Sequence, residues 1–161
     1  MIDRFCAAVI ADGGQAMRVA EASAARAAVV ELLDGGSLCF WDGDPVVSSI
    51  SPSTLGPVVS PADASAGITG AAWAIAATGT LVLTYGDGRS RQTGLLPDLH
   101  VAVIAGACIV ATLGEAIEHV YANGAPRAMT LVTGASATSD IEKIRVIGVH
   151  GPRRVAVVVV G

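Results

Sequence analysis

Three short polar breaks hold the residues of this chain best suited to chemistry. They are Thr78-Gly79-Thr80, Gly134-Ala135-Ser136-Ala137-Thr138, and Gly148-Val149-His150-Gly151-Pro152. Each interrupts or follows apolar runs that read as buried strands, and in open α/β sheets ligands sit beyond the carboxyl ends of strands. In the second break an apolar run ends at Thr133, small residues follow, and Ser139-Asp140-Ile141-Glu142 has capping-box spacing. A helix starting there would offer an anion free backbone N–H groups and the positive end of a dipole. The first break can bring further N–H groups beside it. Arg89 and Arg91, in the turn Gly86-Asp87-Gly88-Arg89-Ser90-Arg91, have the charge to neutralise a carboxylate or phosphate. The expected ligand set is therefore Thr78, Gly79, Thr80, Arg89, Arg91, Gly134, Ser136 and Thr138, around a small anion.

Each feature also has a plain structural reading. Ser136 and Thr138 can simply cap, the arginines can be solvated turn residues, and Gly79 can mark a bulge or a close approach of backbone to a ligand. His150 lies between glycines and suits a turn; as a general acid or base it needs a carboxylate, which Asp140 or Glu142 can supply. Those three are the catalytic candidates. His100 reads as a hydrogen-bonded residue at a strand start and His119 as an exposed mid-helix residue. There is no strand-borne GxGxxG, no phosphate-loop pattern and no nucleophile elbow, and no motif implies a cofactor.

The elements that must position these residues follow from composition. The chain has 161 residues, one domain's worth (1–161), enough to bury roughly 70 % of its unfolded surface. Hydrophobic residues make up 52 %, yet no stretch of about 18 is free of charge, proline or a glycine cluster, so none spans a bilayer. Short Ala/Val runs instead indicate strands covered on both faces by helices. A net charge of −4 and few basic clusters argue against nucleic acid. Cys6, Cys39 and Cys108 match no metal-binding spacing and read as reduced, buried thiols, so no metal site is expected. No signal peptide opens the chain, so cytoplasm is the expected compartment.

In order, residues 3–12 read as a helix carrying Phe5, Ala8 and Val9, closed at Gly13-Gly14. Residues 15–34 allow either one helix on a Met17/Ala20/Ala24/Ala28/Leu32 stripe, or a strand at 15–19 with Ser23 capping a helix at 24–34. A strand is expected at 37–41, a turn at 42–45, an extension at Val46-Val47, and proline-rich loop with a brief strand at 58–59 over 50–65. After the central block come a strand at 108–110 and a helix capped by Thr112 and Glu115, with Leu113, Ile117, Val120 and Tyr121 on one face. Strands at 129–133 and 155–160 complete an α/β pattern with a mainly parallel sheet.

Taken as ordered blocks, these segments resemble the LUD-domain family, the LutC-type lactate-utilisation proteins. The blocks are Gly67-Ile68-Thr69-Gly70-Ala71-Ala72, the run Ala74–Leu83 around Thr78-Gly79-Thr80, the arginine turn with Leu95–His100 leading into Val101–Ile104, the Thr133–Glu142 stretch and Gly148–Pro152. The resemblance favours the strand-then-helix reading of residues 15–34. It implies a three-layer α/β/α domain like that of ribose-phosphate isomerases, glucosamine-phosphate deaminases and CoA transferases, with its site over the strand carboxyl ends. It also implies a part in oxidising L-lactate beside iron–sulfur partner proteins. The chain departs from the family where Ala77 stands at an acidic position, where Asp87 and Ser90 replace the two turn prolines, and where Ala137 replaces a cation; its N-terminus is short for the family.

Three roles stay open on these residues. One is an accessory protein of L-lactate or related organic-acid utilisation that works through iron–sulfur partners and binds a small anion. Another is an autonomous enzyme on a phosphosugar or CoA ester using Asp140, Glu142 or His150. The third is a diverged domain that only assembles. So apolar a small chain is also compatible with homo-oligomerisation.

Overall fold

The computed structural model describes residues 1–86, 88–122, 124–138, 146–147 and 150–161. The chain opens with α1 (Ile2–Ala11), whose Phe5 and Val9 are buried. Sealing side chains of this kind from water stabilises the fold by about 1.5–3 kcal/mol each. After a left-handed Gly13 come β1 (Gln15–Val19) and α2 (Ala22–Leu33), so the strand-then-helix reading holds and the single-helix stripe does not. The cap differs from expectation. Glu21, in extended conformation, precedes the first turn of α2, and Ser23 lies inside that turn, donating to the Glu21 carboxylate at 2.6 Å.

Next come β2 (Leu38–Phe40) and α3 (Pro45–Ser49). The expected extension at Val46-Val47 is instead this helix, because Asp44 accepts from the N–H groups of both valines and Pro45 fits the first helical position. Val58 makes only an isolated bridge to Leu38.

β3 (Ala66–Gly70), β6 (Leu99–Ala105) and β11 (Arg154–Val160) join β1 and β2 in a five-stranded sheet of order β1-β11-β6-β3-β2, parallel throughout. The apolar run at 155–160 is explained by its place next to the edge strand β1, covered on both faces. Val155, Val157 and Val159 join Phe5, Val9, Ala102 and Ile104 in one core, while Ala156 and Val158 join Val29, Val47, Ile68 and Val101 in another, beneath α2 and α3.

The first of these faces is shared between α1 and a second sheet, which the periodicity did not foretell. The central block forms a hairpin of β4 (Trp73–Ile75) and β5 (Thr80–Tyr85). β7 (Ile109–Val110) adds beside β4 and β8 (Ala128–Val132) beside β5, giving the order β7-β4-β5-β8. Cys108 belongs to a 3₁₀ turn before β7 and not to the strand. Leu81, Leu83 and Tyr85 face the shared core; Val82 and Ile75 face α5 (Leu113–Ala122) on the outside.

The α5 cap is as expected: Thr112 accepts from Glu115 N–H at 3.3 Å, and the Glu115 carboxylate takes the Ala111 N–H at 2.9 Å. Its buried face is not. Ala116 and Val120 seat the helix, while Leu113 and Tyr121 are exposed, because the short β4/β7 surface accommodates only a narrow stripe. Of the short elements, α4 (Gln92–Leu95) lies over β3 and β6, and β9 (Ala137–Thr138) pairs antiparallel with β10 (Val146–Ile147). The three cysteines are free, Cys39 buried and Cys6 and Cys108 half-buried, and burial pushes all three thiols above their usual range.

Candidate functional site

The described residues of the polar breaks gather at one edge of the molecule. Thr80 opens β5 and Thr133 follows β8 directly opposite it in an antiparallel pair. Their hydroxyls are 2.7 Å apart, and Thr80 is also 2.6 Å from the Thr78 hydroxyl, so three side chains form a continuous hydroxyl chain. Thr80 is buried. Replacing it with valine removes the shared member and breaks both bonds, leaving the exposed Thr78 and Thr133 to water. We expect a loss of about 1–2 kcal/mol in urea unfolding, against near-neutral behaviour for an exposed threonine; an unchanged midpoint would show the chain to be solvated.

Gly79 makes the hairpin turn with φ +65°, and the backbone it approaches is that of α1 at Ala8 and Val9. Gly134, also left-handed, approaches the Asp12 carbonyl at the end of the same helix. Both glycines are thus required where the second sheet docks on α1. The Ser136 N–H donates to the Pro152 carbonyl at 2.9 Å, which ties the second break to the third. Thr133, Gly134, Ser136, His150, Gly151 and Pro152 then line a cleft of about 410 Å³. His150 is exposed there, and Thr138 lies on β9. Asp140 and Glu142, and with them the second capping box, lie outside the described residues.

The arginines lie elsewhere. β5 runs from Thr80 to Tyr85, five steps of about 3.3 Å, so its ends are about 17 Å apart. The arginine turn follows Tyr85 and sits beside Trp41, just past the carboxyl end of β2. The Arg89 guanidinium is 3.5 Å from the buried Asp44 carboxylate and 5.8 Å from the Trp41 ring centroid. Trp41 meets Tyr85 edge to face and donates its indole N–H to the Ser90 carbonyl at 2.9 Å. Arg91 lies 5.9 Å from the Tyr85 ring. Arg89 thus belongs to a braced cluster of aromatic rings and one carboxylate.

Beside that cluster opens a larger cleft, of about 640 Å³, lined among others by Asp42, Trp73, Tyr85, Arg89 and His119. It lies where β2 and β3 end, the usual place for ligands in a parallel sheet. Asp44 and Trp73 were not singled out from sequence, and His119 reads there only as an exposed mid-helix residue, which it is. For Asp44 a signal existed, an Asp-Pro pair opening a helix. For Trp73 and His119, 46 positions apart, there was none.

One more histidine is distinctive. His100 is fully buried at the start of β6, its Nε2 2.8 Å from the Thr69 hydroxyl, as expected of a hydrogen-bonded strand-start residue. Its Nδ1 has no partner among the described residues. Burial lowers its pKa to about 4, so the ring is neutral near pH 7. Among the described residues no group of three side chains is placed to hold a metal ion, and no helix is long and apolar enough to cross a membrane.

An all-parallel sheet backed by helices on one face, with a second sheet and α1 on the other and a cation-bearing cleft over the strand ends, defines an α/β domain. The LUD domain model matches residues 60–160, and the chain belongs to that family. Lactate utilization protein C of Deinococcus radiodurans is 48 % identical over 100 residues, covering 61 % of this chain and 47 % of its own length. Lactate utilization protein C of Bacillus subtilis is 31 % identical over 132 residues, 79 % of this chain and 52 % of its own. The chain therefore spans about half the length of these relatives. A crystal structure of a DUF162 family protein from Deinococcus radiodurans matches with a TM-score of 0.77 at 29 % identity, over 99 % of this chain and 95 % of that one.

Proposed function

We propose that this chain serves the utilisation of L-lactate or a related organic acid, and that it does so by binding a small carboxylate in the cleft beside Arg89. The names of its relatives support the pathway. The observation that carries the site is Arg89 itself, the one arginine or lysine among the described residues lining that cleft, braced by Asp44 and Trp41 with about a third of its side chain open. A guanidinium has five N–H donors in a fixed fork, so one long contact to Asp44 leaves donors for a second carboxylate. Oxidation of a hydroxy acid needs an electron acceptor, and this reading assigns that step to iron–sulfur partner proteins. The Thr133/Ser136/His150 cleft stands as the alternative location for the anion.

The test is calorimetric titration and thermal shift with L-lactate and pyruvate. At about 100 times its Kd a ligand stabilises the native state by about 2.7 kcal/mol. Arg89→Gln is expected to weaken binding at least tenfold while Ser136→Ala leaves it unchanged. The reverse pattern would move the site to the opposite edge, and binding indifferent to both variants would remove the proposal.

A further inference from the structure

A three-carbon acid occupies a small part of a cleft of about 640 Å³, a volume within the range that holds drug-sized ligands. The remaining lining has a definite chemistry. Trp73 on β4 and His119 on α5 lie parallel, centroids 4.1 Å apart and planes within 14°, and both line the cleft. Two rings already stacked present a flat wall that a third ring can extend. Gly124, Ala125 and Pro126 line the cleft without long side chains, leaving room beside that wall. Asp42, in the exposed turn after β2, adds a carboxylate to the same lining. Its charge disfavours a bare multivalent anion but suits ligand hydroxyl groups, from which it accepts hydrogen bonds.

We infer that this cleft takes a ring-bearing anion of about mononucleotide size. A planar heteroaromatic ring extends the Trp73–His119 stack, the phosphate or carboxylate meets Arg89, and sugar-type hydroxyls donate to Asp42. This deepens the reading above and rests on it only at Arg89. The ring wall is an independent observation, so the two readings can fail separately.

The experiment titrates the full chain with adenosine monophosphate, adenosine, inorganic phosphate and L-lactate, following heat and tryptophan fluorescence. Of the two tryptophans in the chain, Trp41 is buried and Trp73 lines the cleft, so quenching by a stacked ring reports on Trp73. Saturable binding of the monophosphate with quenching is expected, with adenosine and phosphate each at least tenfold weaker. Trp73→Leu and His119→Ala should weaken the monophosphate at least tenfold, and far more than they weaken L-lactate, while Arg89→Gln weakens both. His119 is exposed on α5, so its variant keeps the test valid if Trp73→Leu does not fold. L-lactate binding without monophosphate binding overturns the ring inference and spares the carboxylate reading. Monophosphate binding indifferent to both ring variants overturns it too. Silence from every ligand removes both readings.

Discussion

On acidification from about pH 7.5 to about pH 5, His100 alone is expected to remove about 2 kcal/mol of folding stability, and about 3 kcal/mol by about pH 4. In the fold the ring is sealed from water, held by Thr69 through Nε2, with burial depressing its pKa from 6.5 to about 4. In the unfolded chain it takes up a proton near pH 6.5. Above that value neither state is protonated and the contribution is intact. As the pH falls, the unfolded state binds the proton first and is favoured, so stability declines until the folded ring also protonates near pH 4. The shift of about 2.5 units, at 1.36 kcal/mol per unit, sets the ceiling. Urea unfolding of the wild type and of His100→Gln over this range isolates the effect, since every other titrating group is common to both. The wild type should lose about one proton's worth of slope more than the variant between pH 6 and pH 5. Parallel curves would mean that the ring is protonated in the fold or exchanges freely with water.

The expectation and the structure part company where contacts are long in sequence and antiparallel in space. The unbroken apolar run of β11, the glycine-closed α1 and the Thr112/Glu115 cap were legible because each depends on residues a few positions apart. The second sheet was not, because its defining pair, Thr80 with Thr133, joins positions 53 apart. That sheet also misdirects the search for a site. The rule that ligands sit beyond strand carboxyl ends holds for a parallel sheet, where all such ends share one edge. β5 and β8 are antiparallel, so Thr133, at the carboxyl end of β8, comes to the amino end of β5. The breaks at Thr78–Thr80 and Gly134–Ser136 therefore do meet, as their small polar residues suggested. Arg89, though only nine residues beyond Thr80, is carried to the other edge by the length of β5. The sequence marks where strands stop, and only the pairing decides which stops are neighbours.

Gly79→Ala is expected to destabilise the chain by about 2–5 kcal/mol, a large share of the 5–15 kcal/mol typical of a domain. Two costs add. The residue sits at φ +65°, where an L side chain loses about 1–2 kcal/mol. The added methyl would also lie 2.6 Å from the Val9 nitrogen and 2.8 Å from the Ala8 carbonyl carbon. Those are helix backbone atoms that no rotamer change can move, and relieving such overpacking costs about 1–3 kcal/mol. Gly35→Ala separates the terms: φ there is +75° with nothing within 4 Å, so only the conformational part applies. Denaturant midpoints of the two variants, with hydrogen exchange at Phe5 and Val9, check the assignment. The excess cost in Gly79→Ala should appear with faster exchange confined to α1, because the hairpin turn is what holds that helix against the shared core. Equal costs would mean that α1 yields freely. In that case the close approach of Gly79 would need some reason other than seating the helix, and the hydroxyl chain beginning at Thr78 would be the first place to seek it.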